Sequence, residues 1–447
     1  MVMLKWLYPG MKVKRWLFLA LAGLLLATLG VDLLMKGRLL GDFAHSFHQL
    51  ESVLLGDEYS KLAGIIIVIS GLGIMVFGIL RAFHSVAGAL APGEEGRMAD
   101  IIYARRSLRR GPKIVVIGGG TGLSVLLRGL KKYTSNLTAI VTVADDGGSS
   151  GRLRGELGIL PPGDIRNCLV ALADKEPLME DLLQYRFSSG VLAGHSMGNL
   201  LLAALTDMTG RFDLAVRGLS KVLAIRGQVL PATLSDVTLY AELTDGRVVK
   251  GESQIPLSNG TIKRIYLKPS RCLPLAGALA AIAEADAVVL GPGSLYTSII
   301  PNLLVKGMPE ALARTPATKI CVCNVMTQPG ETGGFTASSH LQAIISHTGK
   351  LLDYAVLNTG QVPFKLRARY RQEGAEPVTA DVSEIKKLGI KVVSEDLIHK
   401  TDVVRHHPDK LARVILKLVY SEKILQEERK YSRGQKKGDS ERELSLL

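Results

Sequence analysis

The chain has 447 residues, 47% apolar and 21% charged, with four cysteines and a formal net charge of +14. That apolar share excludes a collagen, a mucin-like stalk and a mostly disordered chain, and four cysteines are too few for a disulfide scaffold. A mean hydropathy of +0.22 is high for a soluble enzyme and points to a membrane segment.

Trp16 to Met35 is a 20-residue apolar run whose one charge is Asp32, and Leu62 to Leu80 is 19 residues with none. At 1.5 Å per residue each can cross a hydrocarbon core of about 30 Å. The two spans, about 16–35 and 62–80, predict a two-helix transmembrane hairpin over residues 1–90. A cleaved signal peptide does not fit, because the first run is long and a second span follows. Lys5, Lys12, Lys14 and Arg15 precede the first span, and Arg81, Arg97, Arg105, Arg106, Arg109 and Arg110 follow the second. The loop between them holds Lys36, Arg38 and Lys61 among four acids. This asymmetry predicts a multi-pass cell-membrane protein with both ends, and so the main domain, in the cytoplasm. Residues 91–112 read as a basic linker near an anionic leaflet.

From Lys113 short β-branched runs (KIVVIG, LTAIVTV, ADAVVLG, KICVCNV, YAVLN) alternate with helical stretches, the first from Leu123 to about Lys132. The alternation predicts an α/β domain over 113–425, a Rossmann-like doubly wound, mainly parallel sheet. A helix after Pro408 closes it, and 426–447 read as a charged tail. Cys321 and Cys323 fall on one face of a predicted strand as buried thiols, and no Cys/His cluster has zinc spacing, so no metal ligands are assigned.

The candidate site lies at the ends of these strands. Gly118-Gly119-Gly120-Thr121-Gly122 follows the first strand and opens a helix, where backbone N–H groups can approach a phosphate. Leu123 stands where the dinucleotide fingerprint requires its third glycine, and the loop lacks the Lys-Ser/Thr of a P-loop, which weighs against a dehydrogenase and an ATPase. Asp145 and Asp146, before Ser149 and Ser150, suit ligand hydroxyls or a magnesium ion. Asp164, Arg166 and Asn167 follow a Pro-Pro-Gly turn. Gly194-His195-Ser196-Met197-Gly198 matches G-x-S-x-G literally, but a weak strand precedes it, so His195 and Asn199 read as polar ligands, not hydrolase catalysts. Two further loops supply Gly291, Gly293 and Ser294, then Asn324 and Thr327. Loops at successive strand ends converge on a ligand crevice. If extended, Phe364 to Arg371 puts Lys365, Arg367, Arg369 and Arg371 on one face. No stacking aromatics interleave them, which weighs against nucleic acid.

In that order, GGGTGLSVLLRGLK, VTVADDGGSSGRLR, PPGDIRNCLVALAD, GHSMGNLLLAAL, GPGSLYTSIIPNLLV and CNVMTQPGET resemble the gluconeogenesis factor (YvcK-type) family over about Lys113 to Leu418. These are relatives of the 2-phospho-L-lactate transferases. The resemblance implies a Rossmann-like domain that binds UDP-N-acetylglucosamine, links carbon metabolism to cell-wall precursor supply and influences cell shape, with cell-wall precursor enzymes as partners. It further implies that Arg405, with Tyr370 beside it, contacts the sugar nucleotide. It leaves two readings open: a membrane-tethered UDP-sugar-binding regulator, or a magnesium-dependent transferase acting on a nucleoside-diphosphate-activated substrate. Either is compatible with a homo-oligomer.

Overall fold

The computed structural model describes residues 13–35, 42–90, 98–174, 177–400 and 403–444. Lys5, Lys12, Lys36, Arg38, the Ala91-Pro92-Gly93 break and Arg97 lie outside these residues. The chain divides into two compact units, Met1–Arg106 and Ser107–Leu447.

In the first unit, helix Lys14–Leu34 packs along helix Asp42–Leu90. Both contain a stretch long and apolar enough to cross a membrane, Lys14–Leu34 and Lys61–Val86. The helices approach at glycines placed seven residues apart. A Cβ on Gly23 would sit 2.4 Å from the Met75 nitrogen, one on Gly71 2.4 Å from that of Ala27, and one on Gly78 2.7 Å from that of Ala20. Between apolar helices such small residues permit backbone-to-backbone van der Waals contact. The expected loop between the spans is largely helical instead, since the second helix begins at Asp42. The expected linker likewise contains a helix, Met98–Arg110, over residues that are mostly good helix formers.

The second unit is built on a seven-stranded parallel sheet. In chain order the strands are β1 (Ile114–Gly118), β2 (Leu137–Val141), β3 (Gln228–Pro231), β4 (Thr238–Leu243), β5 (Val248–Lys250), β6 (Ile262–Lys268), β7 (Ala287–Leu290), β8 (Thr318–Val322), β9 (Tyr354–Asn358), β10 (Lys391–Glu395), β11 (Ile398–Lys400) and β12 (Val404–His406). The large sheet runs β10-β9-β8-β7-β1-β2-β3. The β1, β2 and β7 side chains are buried throughout, as expected of strands covered on both faces. Sequence patterning identified β1, β2, β7, β8 and β9. It missed β3 and β10 at the sheet edges, the antiparallel trio β5-β4-β6 and the hairpin β11-β12.

The chain winds outward from β1 through β2 to β3, then returns to β7 on the other side of β1 and winds outward again through β8, β9 and β10. The reversal between β1 and β7 makes the loops leaving these strands diverge, which opens a crevice at their carboxyl ends. Phe364–Gln372 is helical, not extended: Pro363 precedes it as N-cap and Lys, Leu, Arg and Ala follow. Leu366 and Tyr370, four apart, pack on a small apolar cluster of Val325, Met326, Ala375, Ile398 and Val404, separate from the main core. The closing helix starts at Pro408, and its backbone continues through the expected tail to Leu444. All four cysteines are buried and free.

Candidate functional site

The crevice holds a cleft of about 320 Å³. Its floor is the glycine loop after β1, where Gly119, Gly120, Thr121 and Gly122 open helix Gly120–Leu130. Gly120 has φ +68°, in the left-handed region where a side chain is strained. A Cβ on Gly122 would lie 2.6 Å from the Pro292 carbonyl oxygen, so the loops after β1 and β7 touch only because that position is bare. Gly293 and Ser294 line the facing side. The Asn324 amide brackets Gly293, accepting from its N–H at 3.3 Å and donating to its carbonyl at 2.8 Å, and Gln328 donates to Ser294 Oγ at 2.7 Å. Thr327 fixes the third loop, its N–H donating to the Glu376 carbonyl at 2.7 Å and its hydroxyl accepting from the Glu376 N–H at 2.9 Å.

The remaining wall comes from the small apolar cluster. Tyr370 Oη accepts from the Val404 N–H at 3.1 Å, which ties helix Phe364–Gln372 to β12 and sets Arg405 at the rim. Arg405 is exposed, and among the described residues it forms no ion pair. His406 also lines the cleft. Its buried ring bonds to the Cys323 backbone, and burial pushes its pKa down to about 4, so it is neutral.

Behind the glycine loop the sign of the charge reverses. A Cβ on Gly119 would fall 2.5 Å from Asp164 Oδ2, and the Gly120 N–H donates to the same carboxyl. Burial, then the Asp145 charge, push the Asp164 pKa up to about 6. Burial also raises Asp145, although it accepts from the Gly147 N–H at 2.9 Å and from Ser150. Two further acids belong here, Glu331 from the CNVMTQPGET loop and Glu252, which no motif marked. Glu252, in the turn after β5, is pushed up to about 8 by burial and by Asp145, Glu331, Asp146 and Asp164. Glu331 is buried and pushed up to about 7; Thr297 donates to its Oε1 at 3.1 Å, and its Oε2 has no hydrogen-bond partner among the described residues.

Beyond the acids lies a polar relay. Asn199 donates to Ser149 Oγ at 3.0 Å, and Ser149 lies 3.0 Å from His195 Nδ1. Arg166 donates to Asn199 Oδ1 at 3.0 Å, to Asn167 Oδ1 at 2.9 Å and to Ser196 Oγ. Burial and the nearby Arg152 lower the His195 pKa. Ser196 caps helix Met197–Thr209, its hydroxyl accepting from the Asn199 N–H. Its oxygen thus accepts from both the Asn199 N–H and Arg166, so the G-x-S-x-G match builds a helix cap and not a nucleophile elbow.

Ten of the expected residues therefore line the cleft: Gly119, Gly120, Thr121, Gly122, Gly293, Ser294, Asn324, Thr327, Tyr370 and Arg405. Asp145, Ser149, Ser150, Asp164, Arg166, Asn167, His195 and Asn199 form the network behind it. Three serve the framework instead. Gly118 ends β1, and its carbonyl accepts from Thr142 and Asn302. Gly291 makes the turn after β7 at φ +75°. Asp146 Oδ1 accepts from the Ser253 N–H at 2.9 Å, anchoring the turn after β5. Gln328 and His406 lie within segments that the motifs marked, whereas no pattern marked Glu252.

Strand order, glycine loops and polar network together define the class: a Rossmann-like domain with an anion-ready crevice, matching the family model of 2-phospho-L-lactate transferase CofD over residues 114–398. Full-length relatives narrow this. The chain is 50% identical over 424 residues to a putative gluconeogenesis factor of Nostoc, covering 92% of each protein. It is 44% identical over 443 residues to one from Clostridium acetobutylicum, covering 96% of this chain and 95% of that one. The gluconeogenesis factor of Bacillus subtilis is 53% identical over 311 residues, 69% of this chain and 98% of its own length. The chain belongs to the gluconeogenesis factor family. A crystal structure of an upf0052 family member from Bacillus halodurans superposes with a TM-score of 0.68 at 51% identity, covering 69% of this chain and 99% of that one. The similarity to the Nostoc and Clostridium proteins extends well outside Lys113 to Leu418, so the N-terminal region is not peculiar to this chain.

Proposed function

We propose that the protein is a membrane-tethered, cytoplasmic regulator that binds UDP-N-acetylglucosamine in the cleft and passes its occupancy to cell-wall precursor enzymes, coupling carbon metabolism to cell shape. The observation that carries the ligand class is the cleft itself: glycine-loop amides for a diphosphate, an exposed guanidinium at Arg405, and an apolar wall beside them for a ring. The sugar and the base are taken from the family resemblance. Membrane tethering rests on the two apolar helices and on the cations that flank them.

The crowded carboxylates favour a second reading, a magnesium-dependent transferase. Among the described residues no three His, Cys, Asp or Glu side chains converge to hold a metal. Asp145 and Asp164 would supply carboxylates and the ligand's diphosphate the rest, and the ion would neutralise phosphate charge. Arg166 and the loop amides would steady that charge.

Calorimetric titration of residues 107–447 with UDP-N-acetylglucosamine, with and without magnesium, tests both. This portion suffices as a fold, since the Bacillus halodurans chain consists almost wholly of it. Binding with no product by mass spectrometry supports the regulator. Turnover supports the transferase, and absence of binding overturns the ligand assignment.

A further inference from the structure

The hairpin carries a cluster that the ligand site does not use. Arg15 and Trp16 open the first helix, and Phe77 and Arg81 stand at the same level on the second. The Trp16 and Phe77 rings meet edge to face with centroids 6.1 Å apart. Arg15 Cζ lies 4.8 Å from the Trp16 centroid, and Arg81 Cζ lies 5.7 Å from that centroid and 5.3 Å from that of Phe77. Both arginines are exposed, and among the described residues neither forms an ion pair. Aromatic faces thus gather two like charges that no carboxylate of the described residues balances, and the positive end of the first helix dipole lies beside them. Two exposed guanidinium groups at this spacing suit an anion.

Position defines the anion. The uncharged run Leu62–Leu80 separates Lys61 from Arg81 by about 30 Å at 1.5 Å per residue, the thickness of a hydrocarbon core. When the hairpin spans a bilayer, Arg15 and Arg81 stand at one headgroup layer, with Trp16 at the depth that tryptophan favours. Directly beneath them Phe18, Phe77 and Leu80 are exposed, an apolar flank for acyl chains. A soluble phosphate would have no use for that flank.

We propose that Arg15 and Arg81, held over Trp16 and Phe77, form a binding site for the phosphate headgroup of an anionic phospholipid. This rests on the membrane reading above, which is checked separately by whether the full-length chain stays in carbonate-washed membranes. The test is native mass spectrometry of the full-length protein in detergent with phosphatidylglycerol or phosphatidylcholine added at equal concentration. Phosphatidylglycerol is expected to be retained at least several-fold better. The double variant Arg15→Gln/Arg81→Gln is expected to lose this preference, whereas Lys61→Gln, at the opposite rim, keeps it. Circular dichroism verifies that each variant retains its helix. Equal retention of the two lipids, undiminished preference in the double variant, or competition by soluble glycerol phosphate overturns the site. A chain that washes off the membrane overturns the membrane reading instead.

Discussion

On one side of Gly119 the cleft is lined by the glycine loop and by the exposed guanidinium of Arg405, where the proposed function places the ligand's phosphates. On the other side Asp145, Asp146, Asp164, Glu252 and Glu331 crowd close enough for their charges to act on one another. Burial and mutual repulsion raise the pKa values of Asp145, Asp164, Glu252 and Glu331 and so favour their protonated forms. Asp164 joins the two, since it touches the glycine loop from behind while bearing the repulsion of Asp145. Asp164 thus stands directly behind the loop, and the two fit together only because position 119 carries no side chain.

The most severe way to break this arrangement is to fill that contact. A Gly119→Val side chain would meet Asp164 at 2.5 Å and Thr142 Cγ2 at 2.9 Å. Overpacking of this kind costs about 1–3 kcal/mol and here displaces the loop itself, so affinity for UDP-N-acetylglucosamine is expected to fall on the order of 100-fold. Calorimetry on a variant that still unfolds cooperatively measures it. Undiminished affinity would mean that the ligand does not use this loop. Arg405→Ala is next. A charge-assisted hydrogen bond is worth about 1.5–3 kcal/mol, so roughly 10- to 100-fold weaker binding is expected, with thermal stability unchanged because Arg405 is exposed and forms no ion pair with a described residue.

The acidic side is tested by pH. The folded protein holds protons on Asp164 up to about pH 6, on Glu331 up to about 7 and on Glu252 up to about 8. In the unfolded chain these groups ionise near pH 4. On these three groups the folded state therefore binds more protons across this window, and stability falls as pH rises from about 4 through about 8. His406, with its folded pKa of about 4 against about 6.5 unfolded, opposes that fall only below about pH 6.5. The melting temperature of residues 107–447 is expected to drop by several degrees between pH 5 and pH 8.5, and Glu252→Gln is expected to flatten that slope. A profile that rises with pH, or an unaltered slope in the variant, contradicts the crowding.

How much of this was legible in the sequence depends on how local each signal is. The buried parallel strands and the glycine loops announce themselves because each is a continuous run whose residue types serve one local geometry. Glu252 does not, because only the turn after β5, itself in an unforeseen antiparallel insert, carries it to Asp145. Phe364–Arg371 misled for a related reason: alternating cations suit a strand face, but the helix propensity of the same residues and the packing of Leu366 and Tyr370 prevail. Asp146 looked equivalent to Asp145 until the Ser253 N–H claimed it.

The smallest expected effect concerns the two compact units. The Bacillus subtilis and Bacillus halodurans proteins are matched over nearly their whole lengths by only about two thirds of this chain. Every residue that lines the cleft belongs to the second compact unit, from Gly119 to His406. Removing residues 1–106 should therefore leave affinity for UDP-N-acetylglucosamine unchanged within about twofold, since no hydrogen bond or charge that shapes the cleft is removed. Side-by-side titration of the full-length protein in detergent and the truncated protein checks this. A large loss on truncation would mean that the apolar helices help build the ligand site, and the tether would then be part of the sensor.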